Sequence, residues 1–172
     1  MPDLAAAVAA LITSTGRQPV VVRTAKDDPS VAAAVAYRPE AGGNPVECAL
    51  MVFASDGGDV TTVETSTELV GCSADAPVDG LAEAIELDVR AERIGLFHQH
   101  TRSNDRFELA RRADGRWVVA SATFTFPEYD ADTDEMRVFT ESVAYPAGAR
   151  KILVSDYRRE LIAPDLQRKE VE

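Results

Sequence analysis

Arg93-Ile94-Gly95-Leu96-Phe97-His98-Gln99-His100 begins the stretch, residues 93–126, whose reading decides the fold. Ile94, Leu96 and His98 fall on one side of a two-residue alternation, the signature of a strand with one buried face. Arg102-Ser103-Asn104-Asp105 makes a first turn, and Asp114-Gly115, set between apolar runs, makes a second. Asp-Gly supplies the left-handed backbone that tight hairpins require. The stretch therefore predicts a three-stranded antiparallel meander, closed at Pro127.

The same reading extends in both directions. Residues 46–54 are apolar at nearly every position and predict a central strand covered on both faces. Asp56-Gly57-Gly58-Asp59 turns it into a Thr- and Val-rich strand over residues 60–68. Upstream, Val31, Ala33, Val35 and Tyr37 alternate in phase, and residues 19–23 form another strand. Residues 40–45 read as a loop, and 74–80 as a small-residue connector. Asp3 caps an alanine-rich helix over residues 3–14 that Gly16 ends, with Leu4, Val8, Leu11 and Ile12 on one face. Residues 81–87 suit a second, short helix by propensity. Residues 138–145 are extended, and 151–162 fit helix and strand patterns equally. The sum is an α+β chain: an N-terminal helix and a mainly antiparallel sheet with one or two packed helices, one domain over residues 1–165. Residues 166–172 are expected as a charged, fraying tail.

With 29 acidic against 18 basic residues, the formal charge is −11. Such a surface repels nucleic-acid backbones and anionic lipid, and it favours partners with a basic surface. No apolar run is long enough to span a membrane. Cys48 and Cys72 form no recognisable framework, and the N-terminus lacks a basic leader. The expectation is a cytoplasmic protein with reduced thiols, Cys48 in the core and Cys72 exposed.

Chemistry concentrates at His98 and His100, the only histidines. On a strand both imidazoles face one side, which is half of a metal site. Glu108, eight residues past His100 and across a turn, is the nearest downstream Glu able to complete it from a neighbouring strand. Asp130-Ala131-Asp132-Thr133-Asp134-Glu135 begins like a calcium loop, but Glu135 stands where the sharp turn needs glycine. It reads as a solvated acidic loop. Arg111, Arg112 and Arg116 beside Trp117 read as a hairpin whose tryptophan anchors the core and whose arginines are solvated. The nucleotide-loop and nucleophile-elbow patterns are absent. With no catalytic residue or cofactor site indicated, the expected function is binding to another protein, as an adaptor, chaperone-like, inhibitor or immunity-type protein. The alternative is a divalent transition-metal site, with or without enzymatic activity, at His98, His100 and Glu108.

Overall fold

A computed structural model describes residues 3–39, 46–72 and 80–172. The loop expected over residues 40–45 and most of the 74–80 connector lie outside the described residues.

The chain begins with helix α1, Leu4–Ser14, capped by Asp3, whose Oδ1 accepts the Ala5 N–H at 3.1 Å. Strands β1 (Gln18–Thr24), β2 (Val31–Arg38), β3 (Glu47–Asp56) and β4 (Asp59–Ser66) follow as one antiparallel sheet in sequence order. A one-turn helix α2, Leu81–Ala84, then leads into a second antiparallel sheet. It comprises β5 (Ile85–Val89), β6 (Arg93–Gln99), β7 (Asn104–Arg111), β8 (Trp117–Asp130), β9 (Glu135–Ala144) and the edge strand β10 (Gln167–Glu170). Between β9 and β10 the chain makes 3₁₀ turns at Ala147–Ala149, Val154–Asp156 and Ala163–Asp165 around helix α3, Arg159–Ile162.

Two periodicities build the layers. On β2, Ala32, Ala34 and Ala36 turn to α1, where they meet Val8, Ile12, Met51 and Phe53. Small residues let the helix lie close to the sheet. Val31, Ala33 and Val35 turn the other way, into the main core against Ile94, Leu96, Phe107, Leu109 and Trp117 of the second sheet. β3 is buried on both faces, as its unbroken apolar run requires. The architecture is thus helix on sheet on sheet, mostly β, where a single sheet with more helix packing was expected.

Four local expectations are corrected. Residues 81–87 form one helical turn and then β5, because Ile85, Leu87 and Val89 alternate into the core and pair with β6, which outweighs helix propensity. β8 does not close at Pro127 but runs to Asp130. Pairing with β7 stops at Thr125, so Pro127 sits where β8 has only β9 beside it and one missing N–H is tolerated. The tail does not simply fray: Gln167–Glu170 pairs antiparallel with β9. Finally, Cys48 and Cys72 are joined in a disulfide that ties β3 to the segment after β4, in place of two reduced thiols.

β1 and β2 lie against β5, and β4 lies against the turn at Val154–Asp156. β9, β10 and the part of β8 beyond Phe124 contribute no fully buried residue. This end of the larger sheet projects past the double layer.

Among the described residues, no helix is long and apolar enough to cross a membrane.

Candidate functional site

Antiparallel register decides which side chains share a face. His98 pairs with Asp105, Asp105 with Phe124, Phe124 with Glu141, and Glu141 with Arg168. These five residues make one row across β6 to β10 on the inner face of the larger sheet. The row begins under the first sheet and runs out onto the projecting end.

At the covered end, His98 is 5 % exposed and its ring centroid lies 4.1 Å from that of His100. Asp105 Oδ2 lies 2.9 Å from His100 Nε2, so the carboxylate fixes that ring. His98 Nδ1 is buried with no hydrogen-bond partner among the described residues. Burial first, and then the neighbouring His100, push the His98 pKa below its ordinary value, against the attraction of Asp105. Burial thus favours the neutral form of His98.

The sequence placed His98 and His100 together, and the fold does so too. It does not bring Glu108 to them. Glu108 pairs with Gly95 on the opposite face and makes a 3.5 Å ion pair with Arg93. The carboxylate that meets the histidines is Asp105, which the sequence assigned to a turn. Its signal was available: in a hairpin linked at residues 100–103, position 105 faces position 98. Among the described residues, no group of three or more His, Cys, Asp or Glu side chains is arranged to hold a metal ion.

At the projecting end, the inner face is aromatic and charged. The Arg159 guanidinium lies 3.9 Å from the Phe124 ring centroid and bonds Glu141 at 3.1 Å. Arg168 lies 4.1 Å from the Phe139 centroid and 5.5 Å from that of Phe126, and it bonds Glu128 at 2.7 Å. Asp105, Phe124, Phe126, Glu128, Glu141 and the two arginines border a shallow cleft of about 330 Å³ here.

The outer face of the same strands differs. Tyr129 pairs with Met136, Pro127 with Val138, and the Val171 N–H donates to the Val138 carbonyl. Tyr129, Met136, Val138 and Val171 are 56, 55, 39 and 47 % exposed. They form one apolar patch. The acidic loop beside it is the β8–β9 hairpin turn: Asp130 accepts the Asp132 N–H at 2.9 Å and pairs with Arg137 at 3.3 Å, while Tyr129 donates to Asp134. Those internal bonds build a turn with no helix on either side, unlike a calcium-binding helix–loop–helix.

The remaining sequence candidate, the Arg116–Trp117 patch, is structural. Trp117 is 2 % exposed. Arg116 is not simply solvated: its Nε donates at 2.6 Å to Glu64, a buried carboxylate on β4. Glu64 also accepts from the Trp117 and Ser155 backbone N–H groups, at 3.2 and 3.1 Å, and from the Ser155 hydroxyl. Burial alone would raise its pKa, but these donors outweigh it and hold the carboxyl below its ordinary value.

No family model matches the chain, and neither the curated proteins nor the solved structures contain a match to it.

Proposed function

We propose that the protein is a binding module that acts by contact with another protein, one presenting a basic and partly apolar surface. The observation that carries this reading is the outer face of the projecting end. Large apolar side chains exposed singly are ordinary, but Tyr129, Met136, Val138 and Val171 are exposed side by side. Asp132, Asp134 and Glu135 of the hairpin turn border one end of the patch, Lys169 stands on the same face at the other, and the whole chain carries a charge of −11. Apolar anchors beside an acidic turn fit a partner of opposite charge and give fast, salt-sensitive association. Adaptor, chaperone-like, inhibitor and immunity-type roles all draw on this surface.

The test is retention of proteins from a cell extract on immobilised wild type and on a Tyr129→Asp/Met136→Asp double variant. The expected result is a basic protein that is retained by the wild type, released as salt rises, and lost with the double variant. Retention of the same proteins by both would overturn the reading.

A second reading rests on the orphaned His98 Nδ1 and the His100–Asp105 contact. His98 and His100 would be two imidazole ligands of a divalent transition metal, with Asp105 orienting His100 as carboxylates commonly orient metal-bound imidazoles. Solvent or a partner group would complete the coordination, since Glu108 lies on the other face. Elemental analysis of wild type and of the His98→Ala/His100→Ala variant decides it. Near-stoichiometric metal present only in the wild type supports a site, and none in the wild type after supplementation removes it.

The Cys48–Cys72 bond withdraws the support that reduced thiols lent to a cytoplasmic location. A bonded pair fits an oxidising compartment better. Thiol trapping in intact cells, followed by a non-reducing gel, separates the two.

A further inference from the structure

The inner face of the projecting end shows what it accepts, because two of the chain's own arginines already sit on it. The half-buried Phe126 and Phe139 supply aromatic surface, Phe124 at the margin of the core is buried with Arg159 over its ring, and Glu128 and Glu141 supply carboxylates at the margins. Arg159 stacks on Phe124 while bonding Glu141, and Arg168 stacks on Phe139 while bonding Glu128. A planar cation stacked on a ring, with a carboxylate at its edge, is the way guanidinium is best recognised.

These occupants are held loosely. The Arg159 and Arg168 side chains are 52 and 43 % exposed, and exposed ion pairs contribute little. Arg168 stands on β10, an edge strand of four residues, all exposed. Arg159 stands on the four-residue helix α3. β10 stays paired to β9 through its backbone and α3 stays docked through the buried Ile162, so another guanidinium can replace these two without undoing either element. Asp105 adds a third carboxylate on the border of the same cleft.

We infer that this groove receives arginine side chains from a basic segment of a partner protein, and that Arg159 and Arg168 occupy it in the unbound chain. The inference rests on the binding-module reading and adds the chemistry of the partner: arginine rather than lysine, seated on Phe124 and on the Phe126–Phe139 pair.

The test measures binding of fluorescein-labelled nona-arginine and nona-lysine peptides to the full chain at physiological ionic strength. Four proteins are compared: wild type, Arg159→Ala, Glu141→Gln, and Asp59→Asn on the distant β3–β4 hairpin, which makes the same charge change as Glu141→Gln. Arg159→Ala uncovers Phe124 and frees Glu141, and nona-arginine is expected to bind it about fivefold more tightly than wild type. Glu141→Gln is expected to weaken binding about fivefold, with Asp59→Asn unchanged. Arginine is expected to be preferred over lysine in wild type and Arg159→Ala alike.

Equal weakening by Glu141→Gln and Asp59→Asn, or equal binding of the two peptides, overturns the groove and leaves only an effect of net charge. Arg159→Gln repeats the uncovering where the alanine variant melts early. If the groove fails while the Tyr129→Asp/Met136→Asp variant still loses its extract partner, the binding-module reading stands without it. If that partner test fails as well, both fall.

Discussion

Glu64 and Glu141 each meet an arginine, and the two pairs lie in opposite kinds of surroundings. Glu64 lies between the sheets with no exposed side-chain surface and is satisfied by Arg116, Trp117 and Ser155 at once. Glu141 lies at the start of the projecting end, a quarter exposed, and its arginines, themselves about half exposed, stack on the buried Phe124 and the half-buried Phe139. The first pair holds two sheets together. The second lies at the margin of the core, with Arg159 over Phe124 and both charges reaching solvent. On the proposed reading the two regions divide their roles: the double layer carries stability, and the projecting strands make the contact with a partner.

The sharpest way to break that contrast is Glu64→Ala. It strips the partner from Arg116, leaves the buried Trp117 N–H unanswered and releases Ser155. Arg116, 41 % exposed, regains water, but each hydrogen bond to a buried carboxylate is worth about 1.5–3 kcal/mol, and chemical denaturation should show a loss of about 3–5 kcal/mol. Because the Glu64 pKa is lowered by folding, its contribution is present above the carboxyl's unfolded value and lost as pH falls through the folded one. The gap between wild type and variant should therefore close in acid.

Next in size is the disulfide. Cys48 and Cys72 are 24 residues apart, and a cross-link of that span is worth about 3–4 kcal/mol through the unfolded chain. Reduction, or Cys72→Ser, should lower the melting temperature accordingly. An unchanged melt would mean the pair contributes nothing to the double layer.

A smaller effect comes from His98 at the join of the two regions. Its pKa is depressed in the folded state, so the unfolded chain takes up the proton first. Stability should fall as pH drops below about 6.5 and level off once folded His98 is itself protonated. His98→Gln should lose this slope while keeping the acid slope of the carboxylates. A slope that survives the substitution would assign it elsewhere.

Smallest should be Arg168→Ala on the projecting end, with a stability change below about 1 kcal/mol by urea denaturation. A loss as large as that of Glu64→Ala would end the division of roles.

Much of this was legible in the chain. Alternation from Val31 to Tyr37, the unbroken run of β3 and the Asp114-Gly115 turn located strands, because a two-residue period and a forced backbone are local properties. The pairing of His98 with His100 followed from the same period. Asp105 at the histidines and Glu108 turned away from them depended on hairpin register, which a one-residue shift in the turn inverts.

The sequence by itself determined most of the strands (β5 and β10 excepted), the capped N-terminal helix and the acidic charge, since each depends on residues near in the chain or on a simple count. Only the tertiary structure decided that there are two sheets, that Glu64 reaches Arg116 across 52 residues, and that Cys48 meets Cys72. It also decided that Phe124, Glu141 and Arg168 share one row. Those contacts join distant segments, and no local period records which strand will lie beside which.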